Sequence, residues 1–403
     1  MAASLSTSPN TRFDVCIRGG GIVGRTLALL LAKERLKVAL VVPDVSEAQG
    51  HGNVREDVRE DVRAYALNQK SKSLLESLRC WPESEHATPV LKMQVHGDDG
   101  GEVVFNAADT HADALAWIVD VPVLEAQLVQ ATKFQPQIEQ FSTADLATVN
   151  ATPNATLMVV CEGKASSSRE EFGVEFDVTR YSQRALATRL WCEHPHHETA
   201  RQWFAHDSIL GVLPMSLAAP TDSLLRNSVA IVWSTEAVHA DALMAMDDTA
   251  FCQAVQSACH NNFGAMQLAS PRAEWPLQLA QTRSWVGLKD GVRWALAGDA
   301  AHTVHPLSGQ GLNLGLADVA ELASLLTTRD YWRSVADEKL LRRYERSRKL
   351  DSALLSGATD GLQRLFSQNG DVWGRLRNAG MNGFQRSGPL KNWVTRQAMG
   401  VQP

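Results

Sequence analysis

The chain has 403 residues, 44% of them hydrophobic and 21% charged, with a formal net charge of −6. That length is too great for one simple core and suits two joined domains with a tail, in an ordinary globular composition. An acidic balance without aromatic-basic interleaving excludes nucleic acid as a partner, and no apolar run approaches the ~18 residues that span a bilayer.

In chain order, the Ser/Thr/Ala-rich start lacks the apolar stretch of a signal peptide and reads as disordered. Residues 13–17 form an apolar strand of the kind buried on both faces. They run into Gly19-Gly20-Gly21-Ile22-Val23-Gly24, a Gly-x-Gly-x-x-Gly turn, followed by a predicted helix over 26–35 and a strand over 37–42. The spacing serves a tight first turn, a second glycine with no Cβ to block a pyrophosphate, and a helix N-terminus aimed at that phosphate. This βαβ unit signals a dinucleotide and does not distinguish FAD from NAD.

The carboxylate that normally ends the second strand and holds the adenosine ribose is missing, because Val42 stands there. Asp44, beyond Pro43, reads either as a ribose ligand on a displaced loop or as a solvated turn residue, with the second preferred. Arg18 either leans over the adenine or phosphate or points to solvent.

Farther on, residues 91–95, 201–204 and 229–234 are strand candidates, and 157–160 lead into Cys161-Glu162-Gly163. His194, His196 and His197 do not make a metal site: Pro195 splits them and no partner ligands recur at metal spacing. An apolar strand over 292–297 meets Gly298-Asp299-Ala300-Ala301-His302, placing a carboxylate just past the strand end, where it can accept from sugar hydroxyls. The loop His305-Pro306-Leu307-Ser308-Gly309-Gln310-Gly311 follows, and Leu312, Leu316, Val319, Ala323 and Leu326 mark an amphipathic helix. Its first N–H groups face the loop and favour an electron-rich ligand. Residues 351–403 look helical, broken near Gly388-Pro389. The six cysteines form no Cys-x-x-Cys pair and read as free buried thiols in a reducing cytoplasm. No Gly-x-Ser-x-Gly elbow supports hydrolase chemistry.

The Gly-Asp-Ala-Ala-His run with Pro-x-x-Gly-Gln-Gly-x-Asn resembles the FAD-containing flavoprotein monooxygenases, and among them most closely the hydroxylases of ubiquinone biosynthesis. Likeness extends over nearly the full length, to Trp117–Asp120, Tyr181-Ser182-Gln183-Arg184-Ala185 and Arg396-Gln397-Ala398-Met399-Gly400. Glu162, with Ser166 to Ser168 and Arg169 behind it, stands where the family carries Asp; Arg63 stands where it sets an arginine against the flavin.

The resemblance implies an α/β fold: a discontinuous Rossmann-like FAD-binding domain of the para-hydroxybenzoate hydroxylase type, an antiparallel-sheet substrate domain and a C-terminal helical tail. The FAD-binding domain is expected from 11–80, 121–180 and 277–350, the substrate sheet from 88–118 and 181–276, and the tail from 351–403. The implied cofactor ligands are Gly19, Gly21, Gly24, Arg63, Glu162, Gly298, Asp299, Pro306, Gly309, Gly311, Leu312 and Asn313. Pro306 would shape the oxygen pocket, Asp299 would hold the ribityl chain, and the N–H groups of Gly311, Leu312 and Asn313 would stabilise negative charge on the flavin.

The implied reaction is aromatic hydroxylation through a flavin C4a-hydroperoxide, with O2 as co-substrate and NADPH or a reductase supplying electrons. Three functional classes stand open: a hydroxylase of a polyprenylated phenol, a flavin hydroxylase of a small soluble phenol, and a non-catalytic flavoprotein subunit. The tail carries Arg375, Arg377, Arg386, Lys391 and Arg396 among apolar residues. It reads either as a packed helix with a solvated basic face or as a peripheral dock on anionic lipid at the cytoplasmic side of the membrane, where contact with a ubiquinone-biosynthesis complex would also occur.

Overall fold

The computed structural model describes residues 12–43, 61–97, 100–149, 152–205, 208–217, 225–303 and 310–367, with 383, 385, 387, 388, 391 and 395. β1 (Phe13–Arg18), α1 (Ile22–Lys33) and β2 (Val38–Val42) form the first βαβ unit, with β1 and β2 parallel. Val15, Cys16, Ile17, Val38, Ala39 and Leu40 have no exposed surface, the setting of a strand covered on both faces. α1 begins ahead of the predicted residue 26 because Gly24 lies inside it. A Cβ on Gly24 would come within 2.0 Å of Gly19 O, so only glycine lets the helix start so close to the strand.

β3 (Ala64–Leu67), α2 (Gln69–Ser77), β4 (Ala87–Val90), β5 (Lys92–His96), β6 (Glu102–Asn106) and β7 (Ala116–Asp120) follow. The expected single sheet over 88–118 divides here. β3, β7 and β4 make a small antiparallel sheet in that order, and β5 with β6 enter a larger one. Pro89 has no N–H to donate, which suits the edge position of β4.

α3 (Val121–Lys133), β8 (Ile138–Ser142), α4 (Thr143–Val149), β9 (Ala155–Val160) and α5 (Ser167–Glu171) come next. The long β10 (Phe176–Cys192), β11 (Thr199–Ala205), β12 (Ser208–Met215) and β13 (Asn227–Glu236) run antiparallel to their neighbours in this set. α6 (Ala237–Ala245) and α7 (Asp248–Ala258) cover them, α7 capped by Asp247, whose side chain accepts from Ala250 N at 2.8 Å. Phe251 and Val255 of α7 are buried in one cluster with Leu186, Leu190 and Trp233. After β14 (Met266–Leu268) and β15 (Ala273–Thr282) come β16 (Val286–Lys289), β17 (Val292–Leu296), β18 (His302–Thr303), α8 (Gly311–Thr327) and α9 (Glu338–Ser367).

The nucleotide-type sheet is ordered β16-β17-β9-β1-β2-β8, with only β16 antiparallel to its neighbour. The larger sheet is ordered β18-β15-β10-β13-β12-β11-β5-β6, with β14 on β10. It departs from the expectation at two places. β5 runs parallel to β11, Lys92 opposite Thr199, a geometry the long intervening chain allows. β15 extends to Thr282, so residues 277–282 belong here and not with the nucleotide-type sheet.

All six cysteines are free and buried, and burial pushes the Cys16 and Cys192 thiols up to about 12. In the tail, Gln385 Oε1 accepts from Val104 N at 2.9 Å, Gly388 adopts φ +43, and Lys391 is 7% exposed, 3.8 Å from Asp109. Lys391 therefore packs on the β6 region instead of facing a lipid surface. Arg375, Arg377, Arg386 and Arg396 lie outside the described residues.

Candidate active site

The first glycine turn supplies one wall. Gly19 has φ +121, and a Cβ there would meet Cys161 O at 2.3 Å, so β1 and the segment after β9 touch backbone to backbone. A Cβ on Gly21 would meet nothing within 4 Å. Gly21 also caps α1 without a side-chain hydrogen bond, and the first turn holds no acid. The opening above Gly21 and the unshielded helix start fit a pyrophosphate.

Arg18 takes neither position expected of it. Its Nη1 donates to Ser168 Oγ at 2.9 Å and pairs with Glu171. Glu162 likewise turns to its own loop: Oε2 accepts from Ser166 Oγ at 2.7 Å and Ser168 N at 3.0 Å, and Oε1 from Ser168 Oγ at 2.6 Å. Both carboxylate oxygens are thereby spent on bracing the segment that touches Gly19. Arg169, in turn, donates to Lys164 O at 2.7 Å and Ala300 O at 3.2 Å, tying that loop to the Gly298–Ala300 turn.

At this second turn Gly298 has φ +63, and a Cβ there would lie 3.4 Å from the Val23 methyls. Asp299 makes no hydrogen bond or ion pair with any described residue. Burial raises its pKa, against the opposing pull of Lys164 and His302. Asp299 is half-buried; a partly desolvated carboxylate gains from a donor, and the hydroxyls of a ribityl chain are suitable ones. Tyr65 lies in electrostatic reach of Asp299 and Arg63, its own pKa raised first by burial. Arg63 is held by Asp61, with contacts of 2.9 Å and 2.6 Å, and by Glu125 at 3.2 Å.

α8 closes the third side. Leu314 N bonds Gln310 O at 2.9 Å, so the N–H groups of Gly311, Leu312 and Asn313 are the helix's open donors. The Asn313 side chain has another task. Its Nδ2 donates to Ala66 O at 2.8 Å, and its Oδ1 accepts from Asn68 N at 3.0 Å and Ser71 Oγ at 2.7 Å. It fastens the start of α8 to β3 and α2. Pro306 and Gly309 lie outside the described residues, as do His305 and Asp44.

Sequence reading missed the group behind the loop. Asp318 is fully buried; it accepts from Gly298 N at 2.9 Å and Arg348 Nε at 2.8 Å, and meets His302 Nε2 at 2.6 Å. Burial alone would raise its pKa, but His302 and Arg348 outweigh it and hold the carboxyl below the usual range. Trp285 stacks on His302 with ring centroids 4.8 Å apart. His302 is thus a buried anchor at the entry to residues 304–309. A signal was available in Asp318, a charge in the otherwise apolar run Leu314 to Val319. Elsewhere, His196 spends both ring nitrogens on Met215 O and Glu198 N, each at 3.0 Å.

A family model described as an FAD binding domain matches residues 121–355. A ubiquinone hydroxylase, UbiL, of Rhodospirillum rubrum is 30% identical over 408 residues, covering 96% of this chain and 90% of the relative. The 3-demethoxyubiquinol 3-hydroxylase of Escherichia coli is 26% identical, covering 97% of this chain and all of the relative (100%). Among solved structures, PqsL, a probable FAD-dependent monooxygenase from Pseudomonas aeruginosa, aligns with TM-score 0.71 and 19% identity, covering 93% of this chain and 100% of that one.

Proposed function

The chain belongs to the family of FAD-binding hydroxylases of ubiquinone biosynthesis, and from that premise we propose that it inserts one oxygen atom of O2 into the ring of a polyprenylated phenol. The observation that carries the reading is Asp299, a half-buried carboxylate that no described residue meets, beside two helix starts with open N–H groups. FAD, when bound there, supplies the redox and oxygen-activating chemistry.

The chain's own residues bind, orient and exclude water. Gly19, Gly21 and Gly24 admit the pyrophosphate to the α1 start, Glu162 braces that turn, and Gly298 lets Asp299 reach the ribityl hydroxyls. The N–H groups of Gly311, Leu312 and Asn313 favour negative charge beside them, while the Arg63 guanidinium is fixed in place by Asp61 and Glu125, whose carboxylates offset its charge. Pro306 and Gly309, outside the described residues, are assigned to the flavin ring by the family resemblance alone. NADPH or a reductase supplies the electrons.

Relatives named for ubiquinone and demethoxyubiquinol support a substrate whose prenyl chain dissolves in a bilayer. Among the described residues no helix is long and apolar enough to cross a membrane. A peripheral site on the cytoplasmic face, beside other enzymes of ubiquinone synthesis, suits both observations.

Purified protein should be yellow and release FAD on heating, identified by chromatography; release of NAD, or a colourless protein that added FAD does not reconstitute, rejects the cofactor. Mass spectrometry of a deletion strain should find an accumulated prenylated phenol, and the wild-type gene but not Asp299→Ala should restore the quinone. Normal quinone in a strain without a redundant hydroxylase hands the site to a small soluble phenol. Bound FAD that never consumes O2 with any phenol would mark a non-catalytic subunit.

A further inference from the structure

We infer that Arg25 holds the adenosine ribose of the bound dinucleotide, in place of the acid that Val42 has displaced; the inference rests on the FAD reading above. Arg25 follows the third glycine directly and is 8% exposed. A Cβ placed on Gly20 would lie 2.6 Å from Val42 Cγ1 and 3.4 Å from Arg25 Nη2. One edge of the guanidinium therefore sits beside the end of β2, on the side of the turn where a ribose-binding carboxylate is wanted.

The rest of the guanidinium is fixed. Nε donates to Gly20 O at 2.7 Å, and Nη1 donates to Thr132 Oγ1 at 2.7 Å and Gln140 Oε1 at 3.4 Å. All three acceptors are neutral. Glu125 acts on Arg25 only through space, and burial lowers the arginine's pKa. Nη2 finds no acceptor among the described residues. Nη2 is thus the free edge of a guanidinium whose other donors are fixed, and the oxygens of a cis-diol next to a pyrophosphate are acceptors suited to it.

The substitution reverses the polarity of the contact. A carboxylate at position 42 would accept hydrogen bonds from the ribose hydroxyls and repel a 2′-phosphate. A guanidinium donates to the ribose oxygens and favours a 2′-phosphate. The nucleotide site should thus be distinguishable from acid-bearing relatives by the ligand alone.

The test measures dissociation constants of FAD, FMN, AMP and adenosine 2′,5′-bisphosphate for apoprotein, by flavin fluorescence and competition, without reference to turnover. Arg25→Gln should weaken FAD and AMP by a common factor of about ten or more, with FMN, which lacks adenosine, unchanged. Unchanged FAD and AMP affinity overturns the inference, and so does an equal loss for FMN, which would mean a structural role. Where Arg25→Gln does not fold, wild type decides: adenosine 2′,5′-bisphosphate should compete at least as well as AMP, and competition more than about tenfold weaker overturns the inference. Wild-type protein that binds none of the four ligands overturns the FAD reading as well, whereas FAD binding that ignores Arg25 overturns only this one.

Discussion

Two aspartates show how far single residues can be read. Asp299 follows an apolar strand and a glycine, so its place past a strand end was legible. Asp318 was not, because its partners His302, Gly298 and Arg348 come from three other segments and only folding assembles them. The two differ in sign. The Asp299 pKa is raised above 3.8 in the protein without cofactor, burial being the main cause. Ribityl hydroxyls donating to the ionised form would pull it down on binding. FAD affinity should then be full above the raised value and decline as pH falls through it. Asp299→Asn should lose about tenfold to a hundredfold in FAD affinity at neutral pH, the worth of a charged hydrogen bond, and should flatten the profile. An unchanged profile in equilibrium titrations of Asp299→Asn would place the titrating group elsewhere.

At the scale of elements, the glycine turn was legible as a motif, because its three glycines keep a fixed spacing. Their separate duties were not. Gly24 lets α1 approach Gly19, a contact within the protein, whereas Gly21 borders space a ligand fills. Gly24→Ala should lower the thermal midpoint, since overpacking against backbone costs about 1–3 kcal/mol or more. Gly21→Ala should melt like wild type yet bind FAD at least tenfold more weakly. Equal melting of the two variants, or equal FAD titrations for Gly21→Ala and wild type, would refute this division. The start of α8 carries the same lesson. Its amphipathic stripe is visible in Leu316, Val319, Ala323 and Leu326, but the duty of the Asn313 side chain appears only when β3 and α2 are in place.

Over the whole molecule, the strands read from sequence exist, and what failed was their allocation to sheets. Alternation shows that a segment is a strand and is silent about its neighbour, so nothing in 88–118 announced that β4 and β7 would leave β5 and β6. Asp120 and Arg189 join those sheets: Nη2 meets Oδ1 at 2.7 Å, with side chains 8% and 9% exposed, and Arg189 also donates to Arg63 O at 3.2 Å. Removing one partner strands the other, so Asp120→Asn should cost about 3–5 kcal/mol in denaturant melts. A loss below about 1 kcal/mol would show that the carbonyls at 61–63 suffice for Arg189. The same long-range construction bears on synthesis. β1 completes its sheet only with β9 and β17, and Gly298 is fixed by Asp318 of α8. Translation at about 5–20 residues per second puts roughly 15–60 s between the emergence of Gly19 and that of Asp318. For that interval the nascent chain carries an exposed glycine turn and an unpaired strand edge. The nucleotide cannot help the early segments fold; it can only lock an assembly that the late ones have already completed.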